Sequence, residues 1–514
     1  MPDFTWKYAS PSAVGSGDGS IGNPWTAHQA MSNAVAGDAV FFRGGIYDLY
    51  YDLVAYSTDF YDDRGILFPA NTGTAGAPIM FARYPGEIAI LNANTDAGYS
   101  TTDARAFGSG TSDYIYFNGF VVQADGGAAR GGVGFKGNAL GRKTLGHRIF
   151  NCHFRGGGVA TASTDNRDGI RMEQTIDTHV RNCSFTGYRQ INDSLNTAAI
   201  KMYDNDAAII EHCDVGNCSG TIFLKANNSD CIVRNNYIHD SHGGILSQIV
   251  AGVNSPRQRI HNNVLVNLTG APLGCSQQGT GNLAGWHIYD NTMYNVAGNV
   301  GYARGDSSIY NNILYVNSGW TYAGNVDAEL LVSDYNNWGV APYVIIQDLN
   351  DPSQVVYTSL IAWQESGGMK DGSNPDLNSI AADPIFTNGS GLFNQLSDFT
   401  LDAGSPCIGT GLAGTNMGAD IATVGLLRPG IDDLSVAVFN DDVAMSYELS
   451  LGPLQSIDST VPISNLTVTY SQQLALDELT ANDRSDDLVI ALINKILGQV
   501  LNPSIISIAS RYRA

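Results

Sequence analysis

Residues 232–240 read IVRNNYIHD and residues 259–267 read RIHNNVLVN, an apolar strand, a polar bend ending in Asn, and a second apolar strand. With the fourth position of the six-residue core as marker, the phrase returns as IFNCHF (Cys152), VRNCSF (Cys183), IEHCDV (Cys213), VRNNYI (Asn236), IHNNVL (Asn263), IYDNTM (Asn291), IYNNIL (Asn312) and DYNNWG (Asn337). Successive markers are 31, 30, 23, 27, 28, 21 and 25 residues apart. A repeat of variable length excludes rigid helical repeats and coiled coils. It points to a solenoid whose loops differ from turn to turn. A second strand precedes each bend, as GIRM (169–172), AIKM (199–202), TIFLK (221–225) and GGILS (243–247). Such strands bury an apolar side only if successive turns stack like residue over like. Asn at the bend suits this, since it tolerates a left-handed corner and its side chain can hydrogen-bond along a stack of identical neighbours.

Flanking segments at both ends complete the pattern. Residues 15–47, GSGDGSIGNPWTAHQAMSNAVAGDAVFFRGGIY, read as a short helix, an apolar strand and a GG bend, and YTSLIAWQESGG (357–368), ADPIFTN (382–388) and DFTLDAGSPCIGTG (398–411) follow the last repeat. In this order, opening, repeat and ending resemble the right-handed parallel β-helix of the pectate-lyase-like superfamily over residues 4–428. The resemblance implies an all-β solenoid closed at its start by a short N-terminal capping helix. It leaves function open, because such solenoids carry lyases, hydrolases, epimerases, viral spikes and adhesins.

Composition agrees. The 514 residues include 58 Gly and 25 Tyr with only 15% charged, a chain rich in turns and strands. A net charge of -22 speaks against nucleic acid as a partner, since that interface rests on clustered Lys and Arg. Seven cysteines are present, of which Cys152, Cys183 and Cys213 fall at equivalent places and are expected to form a small apolar stack rather than disulfides. No basic, apolar and cleavage pattern follows Met1, so no signal peptide is read in this chain, and no apolar run reaches the ~20 residues a membrane span needs. Membrane insertion is not expected. The expected location is extracellular or on a virion surface.

The repeat stops after residue 430, which divides the chain into a β-helix (1–430) and a small C-terminal β/helix domain (431–514). In the latter, 486–501 (DDLVIALINKILGQVL) reads as a helix with two apolar faces, suited to capping the solenoid or to a subunit contact. The order resembles that of phage tail spikes, which implies a homotrimer.

Chemistry belongs on the outside of a filled coil. Alternation turns Ile170, Met172, Ile200, Met202, Ile222 and Leu224 inward. Arg171, Lys201 and Phe223 then form one outward column, and Glu173, Tyr203 and Lys225 the next. β-Elimination on a uronic-acid polymer needs the sugar carboxylate neutralised, a base for the C5 proton and an acid at the glycosidic oxygen. A lysine depressed by neighbouring cations or burial can be that base, with Tyr203 as acid and Arg171 on the carboxylate. Lys201 and Lys225 also resemble the basic pair of chondroitinase-B-like and alginate lyases, where the second residue is Arg. The Glu-x-Glu calcium ligands of that resemblance are replaced by Ser194 and Asn196, so no metal ligands are assigned and calcium stays open. Glu173, Phe223, Tyr50 and Tyr51 are the expected polysaccharide contacts, the two tyrosines from the aromatic and acidic stretch 46–65. Competing readings are a glycoside hydrolase drawing on Glu173, Asp204, Asp206, Glu211 and Asp214, and a non-catalytic adhesin or spike.

Overall fold

A computed structural model describes residues 4–50, 65–94, 105–123, 132–137, 141–160, 167–193, 196–250, 255–278, 285–297, 307–318, 322–323, 330–340, 345–346, 356–367, 372–388 and 391–427. Among them the strands assemble into three long parallel sheets. Sheet I has twelve strands, from Thr5–Ala9 to Leu330–Asp334; sheet II has ten, from Gly45–Tyr50 to Ile313–Ser318; sheet III has eight, from Gly65–Leu67 to Leu273–Gln278. Each full turn passes from sheet I to II to III and back, as in Arg148–Phe150, His153–Ala160, Asp168–Glu173 and His179–Arg181. The chain is a parallel β-helix. The expected C-terminal domain, including 486–501, lies outside the described residues, and so does any subunit contact it would make.

The repeated phrase is the corner between sheets I and II, and its two bend positions divide the labour. The residue before the marker adopts the left-handed conformation at Asn151, Asn182, His212, Asn235, Asn262, Asp290 and Asn311, and at the last corner Tyr335 does, with φ between 53° and 58°. Asn and Asp enter this region at least cost after glycine. The marker itself turns inward. Cys152, Cys183 and Cys213 are buried and free, as expected of an apolar stack. From Asn236 onward the inward position carries a ladder in which each Nδ2 donates to the next Oδ1, at 2.9 Å to Asn263 and 3.0 Å to Asn291, Asn312 and Asn336. The final member is therefore Asn336 and not Asn337. Tyr335 takes the left-handed corner, which moves the inward position back by one residue. The ladder ends on Asp376, which accepts from Asn336 at 3.1 Å and from the Trp363 indole at 2.7 Å.

Because the rungs are coupled, a break in the ladder is felt on both sides. Asn291→Ala leaves the Asn263 backbone N–H without its side-chain acceptor, and removes the Nδ2 donor shared by the Ile260 and Tyr289 carbonyls and Asn312 Oδ1. Buried groups left unmade cost about 1–3 kcal/mol each. The expected loss is about 3 kcal/mol by urea unfolding, whereas a loss below ~1 kcal/mol would mean that the rung relaxes freely.

The ends are closed as the flanking segments suggest. The helix Ala27–Asn33 starts at a capping box between Thr26 and Gln29, and puts Ala27, Ala30 and Met31 against the first turns. At the far end Leu360 and Trp363, from the helix Leu360–Gln364, join the same core. Residues 380–388 and 391–427 then run back outside the solenoid. Phe386, Phe399, Cys407, Met417 and Val424 cover Tyr237, Val264, Val266 and Ile313 of sheet II. Their backbone is tied to the corner column in reverse order. Leu412 N–H donates to Asn311 Oδ1 at 2.7 Å, Asp420 N–H to Asn262 Oδ1 at 2.6 Å, Gly425 N–H to the Asn235 carbonyl at 2.8 Å and Leu427 N–H to Asn182 Oδ1 at 2.8 Å. The corner asparagines thus serve both the turn and this returning strap. Among the described residues no helix is long and apolar enough to cross a membrane.

Candidate functional site

Three neighbouring strands of sheet III, Asp168–Glu173, Ala198–Tyr203 and Gly220–Ala226, carry the residues singled out in the sequence. Arg171, Lys201 and Phe223 stand opposite one another in register, the expected outward column. The second column departs from expectation. Glu173 lies opposite Tyr203, but a register shift after Met202 pairs Tyr203 with Ala226, so Lys225 is set back by one position. Its ammonium still reaches the group, lying 5.3 Å from the Tyr203 ring centre and 5.9 Å from that of Phe223. The Arg171 guanidinium lies 5.0 Å from the same Tyr203 ring.

The two lysines are not equivalent. Lys201 points outward from its strand, yet its side chain has no exposed surface. Its Nζ is 2.8 Å from Asp168 Oδ1, also fully buried, and donates to the backbone carbonyl of Asn196. Burial drives its pKa down to about 8, with Arg171 and Lys225 pushing the same way and Asp168 opposing. Lys225 is half-buried; burial and then the Arg171 charge lower its pKa. Its Nζ donates to Asn196 Oδ1 at 2.8 Å. Lys201 is therefore a buried ion-pair partner, and Lys225 is the lysine that faces outward.

Asp168 and Arg105 escaped the sequence reading. Arg105, on the strand Arg105–Ser109 two coils earlier, is fully buried and donates to Asp168 Oδ2 at 3.4 Å, and Arg171 Nη1 lies 4.0 Å from the same oxygen. A trace of this arrangement stands between them in sequence. Gly134 occupies the coil that Arg105 crosses, and a Cβ there would come within 2.7 Å of Arg105 Cδ. Lys136, also unforeseen, binds Glu173 Oε2 at 2.8 Å, while Arg171 Nε binds Oε1 at 2.7 Å. Five cations thus meet two carboxylates on one ledge of a chain whose net charge is -22.

Other expected residues are placed differently. Phe223 is 3% exposed and packs with Ala198 and Leu246, so its face is spent on the protein and not offered to a sugar. Glu173 is engaged by Arg171 and Lys136. Tyr50 ends the strand Gly45–Tyr50 opposite Asn94, with its side chain outside the described residues, as is all of Tyr51.

The carboxylates considered for hydrolysis are each held by basic side chains. Lys143 bridges Asp204 and Asp206 at 2.9 and 2.8 Å. His239 binds Asp214 at 3.0 Å. Glu211 is pushed up by burial, but the hydrogen bond from His179 and the charges of Arg234 and Arg181 overcome this and hold it well below the usual range. Burial lifts Asp290 to about 6, but it sits at a corner between sheets I and II. Each of the carboxylates read as hydrolase candidates is thus already paired within the protein.

Calcium fits the ledge poorly. Of the two positions where the resemblance places its ligands, Ser194 lies outside the described residues, and Asn196 turns both of its oxygens to lysine ammonium groups, which repel a divalent cation. Among the described residues no cluster of three His, Cys, Asp or Glu side chains could hold a metal.

No protein-family model matches the chain, and no curated protein matches it. Solved structures do. The crystal structure of pectate lyase Pel9A superposes with a TM-score of 0.50 at 16% identity, covering 80% of this chain and 95% of that one. A rhamnogalacturonan lyase gives 0.34 at 15% identity over 73% and 95% of the two chains. The PL6 family polysaccharide lyase Pedsa3628 from Pseudopedobacter saltans gives 0.33 at 12% over 78% and 97%. With the stacked parallel sheets, the likeness to Pel9A shows that the chain has the right-handed parallel β-helix fold of the pectate-lyase-like type.

Proposed function

We propose that the protein degrades an acidic polysaccharide by β-elimination, with Lys225 as base, Tyr203 as acid and Arg171 as the group that binds the uronate carboxylate. The observation that carries this reading is the ledge itself, where an outward lysine with a lowered pKa lies beside an arginine and a phenol above a buried ion pair. Excess positive charge on an otherwise acidic protein suits an anionic sugar unit.

The steps balance without a further reactant. Arg171 hydrogen-bonds the carboxylate and so stabilises the negative charge that spreads onto it as the C5 proton leaves. Neutral Lys225 takes that proton. The electron pair forms the C4–C5 double bond as the C4–O bond breaks, and Tyr203 gives its proton to the departing oxygen. Since only the unprotonated amine can act, the rate rises with pH through the Lys225 pKa, with a midpoint below the ordinary lysine value of 10.5. A profile that falls over that range would exclude a lysine base.

Mass spectrometry of the products tests the reading. Elimination leaves fragments lighter by one water than hydrolysis does. Digests of polygalacturonate, alginate and chondroitin should show the lighter species for at least one polymer. Products that have gained water, or intact polymer in all three, would refute it.

A further inference from the structure

We infer that Asn196 is a positioning residue that aims the Lys225 amine at the substrate without holding its proton; this rests on the lyase reading above. Asn196 lies just before the strand Ala198–Tyr203 and receives lysines from two adjacent coils. Its carbonyl accepts from Lys201, and its Oδ1 accepts from Lys225 at 2.8 Å. Behind it the chain of contacts is buried. Arg105 fixes Asp168, Asp168 fixes Lys201 at 2.8 Å, and Lys201 fixes the Asn196 peptide. The position of the outward amine is thereby tied to groups that have no exposed surface.

The identity of the residue matters. A neutral amide oxygen accepts a hydrogen from either –NH₃⁺ or –NH₂, so the bond survives loss of the proton and leaves the nitrogen lone pair free to point elsewhere. A carboxylate at this place would favour the charged ammonium and disable the base at neutral pH. The charged or titratable groups facing Lys225 are Arg171, Glu173 and Asp168 from the strand Asp168–Glu173 and Lys201 and Tyr203 from the adjacent one. The cations among them favour the neutral amine, the carboxylates oppose it, and Asn196 leaves that balance untouched.

Asn196→Asp and Asn196→Ala separate aiming from mere packing. The Asp variant should move the rising limb of the pH–rate profile, which the Lys225 amine sets, to higher pH by about one unit or more. Its rate at neutral pH should fall ~10-fold and recover above the new limb. The Ala variant should lose ~10-fold or more in kcat at every pH with the limb in place. An unshifted limb in the Asp variant, or wild-type kcat in the Ala variant, would overturn the inference. Titration of ¹³C-methylated Lys225 by NMR requires no turnover and must show the same upward move in the Asp variant; an unmoved titration would overturn it independently. Absence of eliminated product from the wild type would instead strike the lyase reading.

Discussion

Lys225→Met is expected to fold as the wild type does and to lose at least ~100-fold in kcat on its polyuronate substrate. Methionine keeps an unbranched apolar stem over Phe223 and Tyr203 and removes only the amine. Lys225 is half-buried and makes its polar contact to a neutral oxygen, so no partner charge is stranded by the change. KM should change much less than kcat, because Arg171 and not Lys225 holds the sugar carboxylate in the ground state. Steady-state kinetics checks this; a variant within ten-fold of wild type would remove Lys225 from the chemistry.

Asp168→Ala should act on a different quantity. Asp168 is fully buried against Arg105 and Lys201, and removing it leaves two buried cations facing each other. Breaking a buried pair from one side costs about 3–5 kcal/mol, because the orphaned charge remains desolvated. Urea unfolding should show a loss of that order. Adding Lys201→Met to the same chain should return part of the loss, since one orphan cation is then gone. A single variant within about 1 kcal/mol of wild type would mean that water reaches the pair. The same reasoning separates Lys201 from Lys225. Lys201 is expected to matter through stability and through the placement of Asn196, although its amine titrates near 8.

Much of this molecule is legible in its sequence because a solenoid repeats its physics. The phrase around Asn236 and Asn263 marks a corner each time, and alternation along GIRM, AIKM and TIFLK brings Arg171, Lys201 and Phe223 into one register across more than fifty residues. Three features defeat that logic. A register shift after Met202 displaces Lys225, and alternation carries no sign of a bulge. Tyr335 occupies a left-handed corner that Asn was expected to hold, which moves the ladder to Asn336. Burial of an outward side chain depends on what packs over it; the partner of Lys201 is Asp168, just before the GIRM strand, which is itself held by Arg105 two coils away. The period reports stacking of like on like, whereas these contacts run diagonally between unlike residues.

The account is tested most directly by a crystal structure of the Lys225→Met variant with a uronate oligosaccharide. It predicts the sugar carboxylate on Arg171, the C5 hydrogen directed at the side chain of residue 225 within about 4 Å, and the Tyr203 hydroxyl about 3 Å from the glycosidic oxygen. An oligosaccharide bound on another sheet, or on sheet III with its carboxylate turned away from Arg171, would contradict it.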